Sequence, residues 1–113
     1  MSYYVHLKDI PVKDPNSNLF KTYNMLGEKE GCVAGCSAGV TIFMSDQYNV
    51  PGTHNNQEGF YVLEGTGWGK IGDEEFKVEP EMALFVPAGV THCFKRDPES
   101  VGLKVFWFHA KVS

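Results

Sequence analysis

The chain has 113 residues, of which 42% are hydrophobic and 21% are charged, as in an ordinary globular protein with one domain. Its 10 basic and 14 acidic side chains give a formal net charge of −4 without any cluster of lysine or arginine, which argues against nucleic acid or an anionic membrane as a partner. No apolar run approaches the roughly 20 residues of a membrane span. The N-terminus lacks the charged and apolar regions of a signal peptide, so we expect a cytoplasmic location.

Almost the whole chain alternates apolar and polar residues with a period of two, which is typical of β-strands. In chain order, the predicted strands cover residues 3–7, 19–26, 39–44, 59–65, 67–72, 75–79, 82–87, 91–95 and 102–109. Gly72 and Asp73 predict a tight hairpin turn, and no segment carries a clean helical stripe. This many short strands in one small domain predict an all-β sandwich or barrel.

A histidine and a glutamate stand four positions apart in the segment PGTHNNQEGFYVLEG, where His54 and Glu58 precede an apolar strand. Alternate residues of a strand face the same side, so Glu58 should share a face with Phe60 and Val62. His92 follows a Pro-x-Gly turn much later in the chain. Two imidazoles and a carboxylate on one face would hold a metal ion and leave coordination positions open. Spacing alone also allows the interpretation that both histidines lie at loop edges and Glu58 is an exposed charge.

Several other side chains could carry chemistry. His109 ends the aromatic segment VFWFHA, and it is either an edge residue or a catalytic acid or base that lines a cavity beside the metal. We interpret His6 as a structural residue of the first predicted strand, and Tyr61 and Trp68 as packing residues. A largely apolar pocket is expected from Phe60, Phe85, Phe94 and Phe106.

The chain has three cysteines, Cys32, Cys36 and Cys93, and an odd number argues against a disulfide framework. We expect them to behave as small buried hydrophobic residues. A zinc site made from the three would lack the C-x-x-C spacing of common structural sites, so we do not favour it.

Two segments of the chain resemble the two motifs of the cupin family. The first motif contains the spacing H-x3-E-x6-G, which falls on His54, Glu58 and Gly65. The second contains P-x-G-x2-H, which falls on Pro87, Gly89 and His92. The resemblance covers roughly residues 38–109. It implies one cupin domain over residues 1–113, with an all-β jelly-roll barrel, also described as a double-stranded β-helix.

The cupin pattern is incomplete in this chain. Gly52 stands where the family usually carries its first histidine, so the resemblance implies a set of three metal ligands, namely His54, Glu58 and His92. Asn56 could add a weak amide oxygen to this set. Further departures at flanking positions should mainly change loop geometry, and these are Asp46, Glu81 and Arg96.

The resemblance also implies a function. It predicts a divalent metal cofactor, with Zn, Fe, Mn and Ni equally compatible, in an enzyme that acts on a small polar organic molecule. The reaction would be of the isomerase, lyase or dioxygenase type. The alternative is a non-catalytic cupin that binds a small molecule beside a degenerate metal site. The N-terminal residues 1–37 are expected at the interface of a homodimer.

Overall fold

The computed structural model describes residues 3–112, which form eight β-strands and two 3₁₀ helices, Leu7–Asp9 and Glu28–Glu30. The strands are β1 (Phe20–Leu26), β2 (Ser37–Phe43), β3 (Gln57–Glu64), β4 (Gly67–Ile71), β5 (Glu74–Val78), β6 (Ala83–Val86), β7 (His92–Arg96) and β8 (Leu103–Ala110). The predicted all-β architecture is confirmed. Residues 3–112 contain no helix with the length and hydropathy that crossing a bilayer requires.

The strands form two antiparallel sheets. The larger sheet has the order β1-β2-β8-β3-β6, and the smaller sheet has the order β5-β4-β7. One hydrophobic core joins them, because fully buried side chains of the larger sheet, such as Val62 and Val105, cluster with Val78 and Phe94 of the smaller sheet. The sheets therefore enclose the core and, at one end of it, the cavity described below.

The alternation of side chains along β3 follows the predicted pattern. Glu58, Phe60 and Val62 are buried, whereas Tyr61 and Leu63 are exposed on the outer face. The same period holds in β8, where Leu103, Val105 and Trp107 are buried. Because a one-residue shift would reverse every side chain, the burial of apolar groups fixes the register of both strands.

The predicted strand over residues 3–7 is wrong. His6 instead caps the 3₁₀ helix Leu7–Asp9, because its Nδ1 accepts a hydrogen bond from the backbone N–H of Lys8 at 3.1 Å. That bond removes a donor that a strand would need for its ladder. Met1 and Ser2, which belong to the expected dimer interface, lie outside the described residues.

The turn between β3 and β4 depends on Gly65. Its φ angle is +84°, and a Cβ atom at this position would lie 1.9 Å from the carbonyl oxygen of Gly102. Only glycine tolerates both the left-handed conformation and this close approach of two backbone segments. The motif glycine therefore has a structural role at the turn.

A buried carboxylate in the loop after β7 is hydrogen-bonded to β5 and to the turn between β3 and β4. Asp97, just after β7, is only 6% exposed, and its Oδ2 accepts hydrogen bonds from Lys77 Nζ and from Thr66 Oγ1, the latter at 2.7 Å. The Thr66 backbone N–H donates to Ser100 Oγ at 3.0 Å. The hydrogen bonds from the Lys77 ammonium and the Thr66 hydroxyl lower the pKa of Asp97 below its ordinary value of 3.8.

We expect Asp97→Asn to lower the free energy of unfolding of the metal-free protein by about 1–3 kcal/mol at neutral pH, since charged hydrogen bonds would be lost. Because the pKa of Asp97 is lowered on folding, this stabilisation is present above 3.8 and is lost as the pH falls through the folded-state value. Urea unfolding at a series of pH values, with EDTA present, measures the difference between the two proteins.

Glu99→Gln is the matched control, because it makes the same charge change at an exposed position of the same loop. A difference between wild type and Asp97→Asn that stays constant down to the lowest pH would contradict the assignment. So would an equal loss of stability in Glu99→Gln.

Candidate metal centre

Three parts of the chain meet at one end of the barrel. Glu58 lies near the start of β3, His92 opens β7 in the other sheet, and His54 lies in the loop before β3. An isolated antiparallel bridge ties this loop to β7, because the backbones of Gly52 and His92 exchange two hydrogen bonds of 3.0 Å. The segments that carry the two predicted motifs are thus brought to the same place.

The carboxylate of Glu58 is the centre of this group and is only 7% exposed. His54 Nε2 lies 2.8 Å from Glu58 Oε1, and His92 Nε2 lies 3.4 Å from the same oxygen. One ligand atom from each of the three side chains lies within 4.8 Å of the other two. His54, Glu58 and His92 are therefore positioned as a candidate metal site.

Both imidazoles turn their Nε2 atoms toward the Glu58 carboxylate. His54 Nδ1 lies 3.1 Å from the carbonyl oxygen of Asn56, and this contact orients the ring so that Nε2 faces Glu58 Oε1 at 2.8 Å. Burial lowers the pKa of His92 below its ordinary value of 6.5, against the opposing effect of the Glu58 carboxylate. A neutral imidazole is the form that binds a metal ion.

Asn56 contributes to this geometry through its backbone carbonyl. Its side-chain oxygen, Oδ1, is buried and has no hydrogen-bond partner. The expected role of this amide oxygen as a weak ligand stays a prediction.

His109 lies inside the same end of the barrel. It is paired with Glu58 across β8 and β3, and its Nε2 lies 2.8 Å from Glu58 Oε2. The oxygen is out of line with the ring N–H, so Nε2 is buried without a hydrogen bond. The ring centroids of His109 and His54 are 5.0 Å apart, and those of His92 and His54 are 5.1 Å apart. Three imidazoles thus surround one carboxylate.

A divalent cation fits this donor set. A buried carboxylate is costly unless a cation or several hydrogen bonds compensate its charge, and here the atoms around it are imidazole nitrogens. Two histidines and one carboxylate, with room for further ligands, are a common set for zinc and for non-haem iron. Among residues 3–112, these three side chains form the one such cluster of potential ligands.

The cysteines take no part in that cluster. Cys93 is buried beside His92 but is paired with Lys70 on the neighbouring strand, and burial raises the pKa of its thiol. Cys32 is half-buried, as a small hydrophobic residue can be, but Cys36 is exposed, so the expectation of burial is wrong there. Cys36 is exposed because it lies in the loop before β2, outside the core.

Two of the three candidate ligands, Glu58 and His92, line a cavity of about 260 Å³ together with His109. Phe60 and Phe94 line it as predicted. The prediction is wrong for Phe85, which is 55% exposed, and for Phe106, because they pair with Gly59 and Tyr61 on the outer face of the sheet. The aromatic residues that the sequence analysis missed in the lining are Phe20, Phe43 and Trp107.

Trp107 lies two residues before His109, so the two side chains share one face of the predicted strand. This was the one sequence signal that could have placed Trp107 in the lining. Phe20 and Phe43 come from β1 and β2, whose position opposite β8 is not readable from the sequence. Tyr61 and Trp68 lie outside the cavity lining, but both are exposed, so their interpretation as packing residues is not confirmed.

Comparison with solved structures identifies the fold. The polyketide cyclase RemF from Streptomyces resistomycificus superposes with a TM-score of 0.81 at 19% identity, over 96% of this chain and 79% of that one. An RmlC-like cupin from Shewanella frigidimarina gives 0.76 at 16% identity, over 96% and 91%. The FeII form of HppE gives 0.73 at 17% identity, over 94% of this chain and 59% of that one. At these identities the likeness shows the fold, which confirms the predicted jelly-roll barrel.

No curated protein is similar enough in sequence to count as a match. The family model described as "Cupin domain" matches residues 40–109, which is more than half of the chain and includes both predicted motifs. This chain therefore belongs to the cupin family.

Proposed function

We propose that this cupin binds a divalent metal ion through His54, Glu58 and His92 and is an enzyme that acts on a small organic molecule. The observation that carries the proposal is the convergence of three ligand atoms within 4.8 Å of one another, with Glu58 and His92 also lining a cavity. The cavity gives a substrate access to the side of the site that the protein leaves open.

The donor set supports a metal of the Zn, Fe, Mn or Ni class without choosing among them. The iron in the structure of HppE shows that a barrel of this shape can hold a metal ion. When bound, such an ion supplies Lewis acidity for isomerase or lyase chemistry, or oxygen activation for a dioxygenase.

The protein's own residues have separate roles in this proposal. Glu58 supplies the negative charge, and Asn56 fixes the ring of His54 through its carbonyl oxygen. His109 is the catalytic acid or base, because its Nε2 is buried at the cavity without a hydrogen bond and can hold a proton there.

One observation favours a second candidate function. Gly52 replaces the usual first histidine of the motif, and a Cβ atom at this position would have no neighbour within 4 Å. The space left by the missing ligand fits a non-catalytic cupin that binds a small molecule beside a degenerate metal site. Metal content separates the two candidates. The homodimer and the cytoplasmic location stay predictions.

His92→Ala should lower the affinity for the metal by more than about a hundredfold, because loss of a ligand costs more than loss of an outer partner. Cys93→Ala should leave the affinity unchanged, since adjacent strand residues point to opposite faces. Competition titration with a chelator, after reconstitution with each metal in turn, measures both variants. Equal losses would overturn the assignment of faces, and substoichiometric metal in the wild type would favour the non-catalytic candidate.

His109→Ala should lower the metal affinity by about tenfold or less, since His109 touches the carboxylate without donating a hydrogen bond to it. The same titration on His54→Ala provides the comparison, with an expected loss as large as that of His92→Ala. If His109→Ala loses as much affinity as His54→Ala, His109 is a fourth ligand and its role as the acid or base is wrong.

Gly52→His should tighten metal binding by about tenfold, because a fourth donor would be added. Gly52 and His92 are directly opposite in an antiparallel bridge, so their side chains project from the same face. Gly52 does not have a positive φ angle, so a side chain at this position causes no backbone strain of that kind.

Thr53→His is the control for this substitution, because the neighbouring residue of an extended segment points the other way. Metal affinity and the melting temperature of the metal-free protein are measured for both variants. An unchanged affinity in Gly52→His at unchanged stability would show that residue 52 does not face the metal.

A further inference from the structure

The cavity extends across the larger sheet, away from the metal centre. Glu58 lies on β3, and Asn24 and Thr22 line the other end of the cavity on β1, the edge strand. Three strand spacings separate β3 from β1, which is about 14 Å. Through β2, Thr22 is level with Val105 of β8, four residues from His109, so the cavity runs diagonally across the sheet.

Aromatic rings form a continuous wall between the two ends of the cavity. The ring centroids of Phe20 and Phe43 are 6.4 Å apart, those of Phe43 and Phe94 are 5.1 Å apart, and those of Phe94 and Phe60 are 5.2 Å apart. The Phe60 ring in turn lies 6.2 Å from the ring of His92. The wall therefore runs from the edge strand to the metal centre.

Trp107 occupies the sheet beneath this wall. Its indole lies against Gly39, where a Cβ atom would be 2.6 Å from the ring. Its Nε1 donates a hydrogen bond to Thr41 Oγ1 at 3.0 Å, and Thr41 Oγ1 is also 3.1 Å from Thr22 Oγ1. The indole is thus held in place and presents an apolar surface to the cavity.

Several polar groups along the phenylalanine wall already have partners, whereas the buried ring nitrogens without one, His92 Nδ1 and His109 Nε2, lie at the metal end of the cavity. Both threonine hydroxyls are paired as described, and Asn49 Oδ1 accepts a hydrogen bond from the backbone N–H of Phe94 at 3.0 Å. Hydroxyl groups placed against the phenylalanine rings would lose their hydrogen bonds to water without replacement, which is costly for each group. An aromatic body avoids this loss. A cavity of about 150 Å³ suffices for benzene, so 260 Å³ accommodates one or two rings.

A positive charge stands at the far end of the cavity. The backbone N–H of Lys13 donates to the Thr22 carbonyl at 2.7 Å, which places Lys13 just beyond β1, and its side chain lines the opening. Within residues 3–112, Lys13 forms no ion pair, although the protein carries a net negative charge. An anionic group on a ligand could therefore pair with Lys13 without displacing a carboxylate of the protein.

We propose that the cavity binds a flat aromatic carboxylate of one or two rings. The ring system lies along the wall of phenylalanines, the carboxylate pairs with Lys13, and the opposite edge of the ring faces the metal centre. The inference rests on the proposed function only for the end of the ligand that meets the metal.

Isothermal titration calorimetry with three probes tests this inference, on metal-loaded and EDTA-treated protein. We expect 2-naphthoate to bind, 2-naphthol to bind about threefold to fivefold more weakly because it lacks the charge, and galacturonate, a polyhydroxylated carboxylate, not to bind. Lys13→Gln should remove the difference between the two naphthyl probes. Tighter binding of galacturonate than of 2-naphthoate would overturn the inference.

Phe43→Leu should weaken both naphthyl probes about fivefold through loss of aromatic contacts. The matched control is Phe85→Leu, on the outer face, which should change nothing. If Phe43→Leu lowers the melting temperature, Phe20→Leu at the opening provides the second test. Binding that is insensitive to both variants would overturn the inference.

The two proposals fail separately. A protein that loads metal but prefers galacturonate would refute the aromatic ligand and leave the metal site intact. A protein that never loads metal but binds 2-naphthoate after EDTA treatment would support the aromatic ligand and refute the metal-dependent enzyme.

Discussion

The antiparallel pairing of β3 with β8 is the constraint on which the cavity and the metal centre depend. This register sets Glu58 opposite His109, Phe60 opposite Trp107, and Val62 opposite Val105. Along both strands the inward side chains change from purely apolar in the middle of the barrel to polar at one end. The same two strands therefore build the core and carry Glu58 of the candidate site, so the apolar core fixes the position of the carboxylate.

A buried carboxylate among three imidazoles is an unusual arrangement for a merely structural group. Burying an unpaired charge costs a large free energy, and well-packed apolar side chains at the same positions would make the fold more stable. The side of the site formed by Glu58 and His92 adjoins a cavity. Both features are those of a candidate metal site with a cavity beside it.

The residues of the site come from both sheets. The larger sheet supplies Glu58 and His109, and the smaller sheet supplies His92 through β7. The Gly52–His92 bridge then ties the loop of His54 to β7. Because packing of apolar residues between the sheets sets their separation, the distances among the ligand atoms are a consequence of the core.

The sequence by itself determined the all-β class, most strand positions, and the face on which Glu58 and His92 lie, because a period of two and turn residues are local properties. The motif spacing also predicted His54 as a metal ligand. The sequence could not determine that residues 3–7 form no strand, because a local hydrogen bond from Lys8 to His6 decided it. Only the tertiary structure placed Phe20 and Phe43 in the cavity and Phe85 outside it. Cavity lining depends on strand order and register, which arise from contacts between residues far apart in the chain.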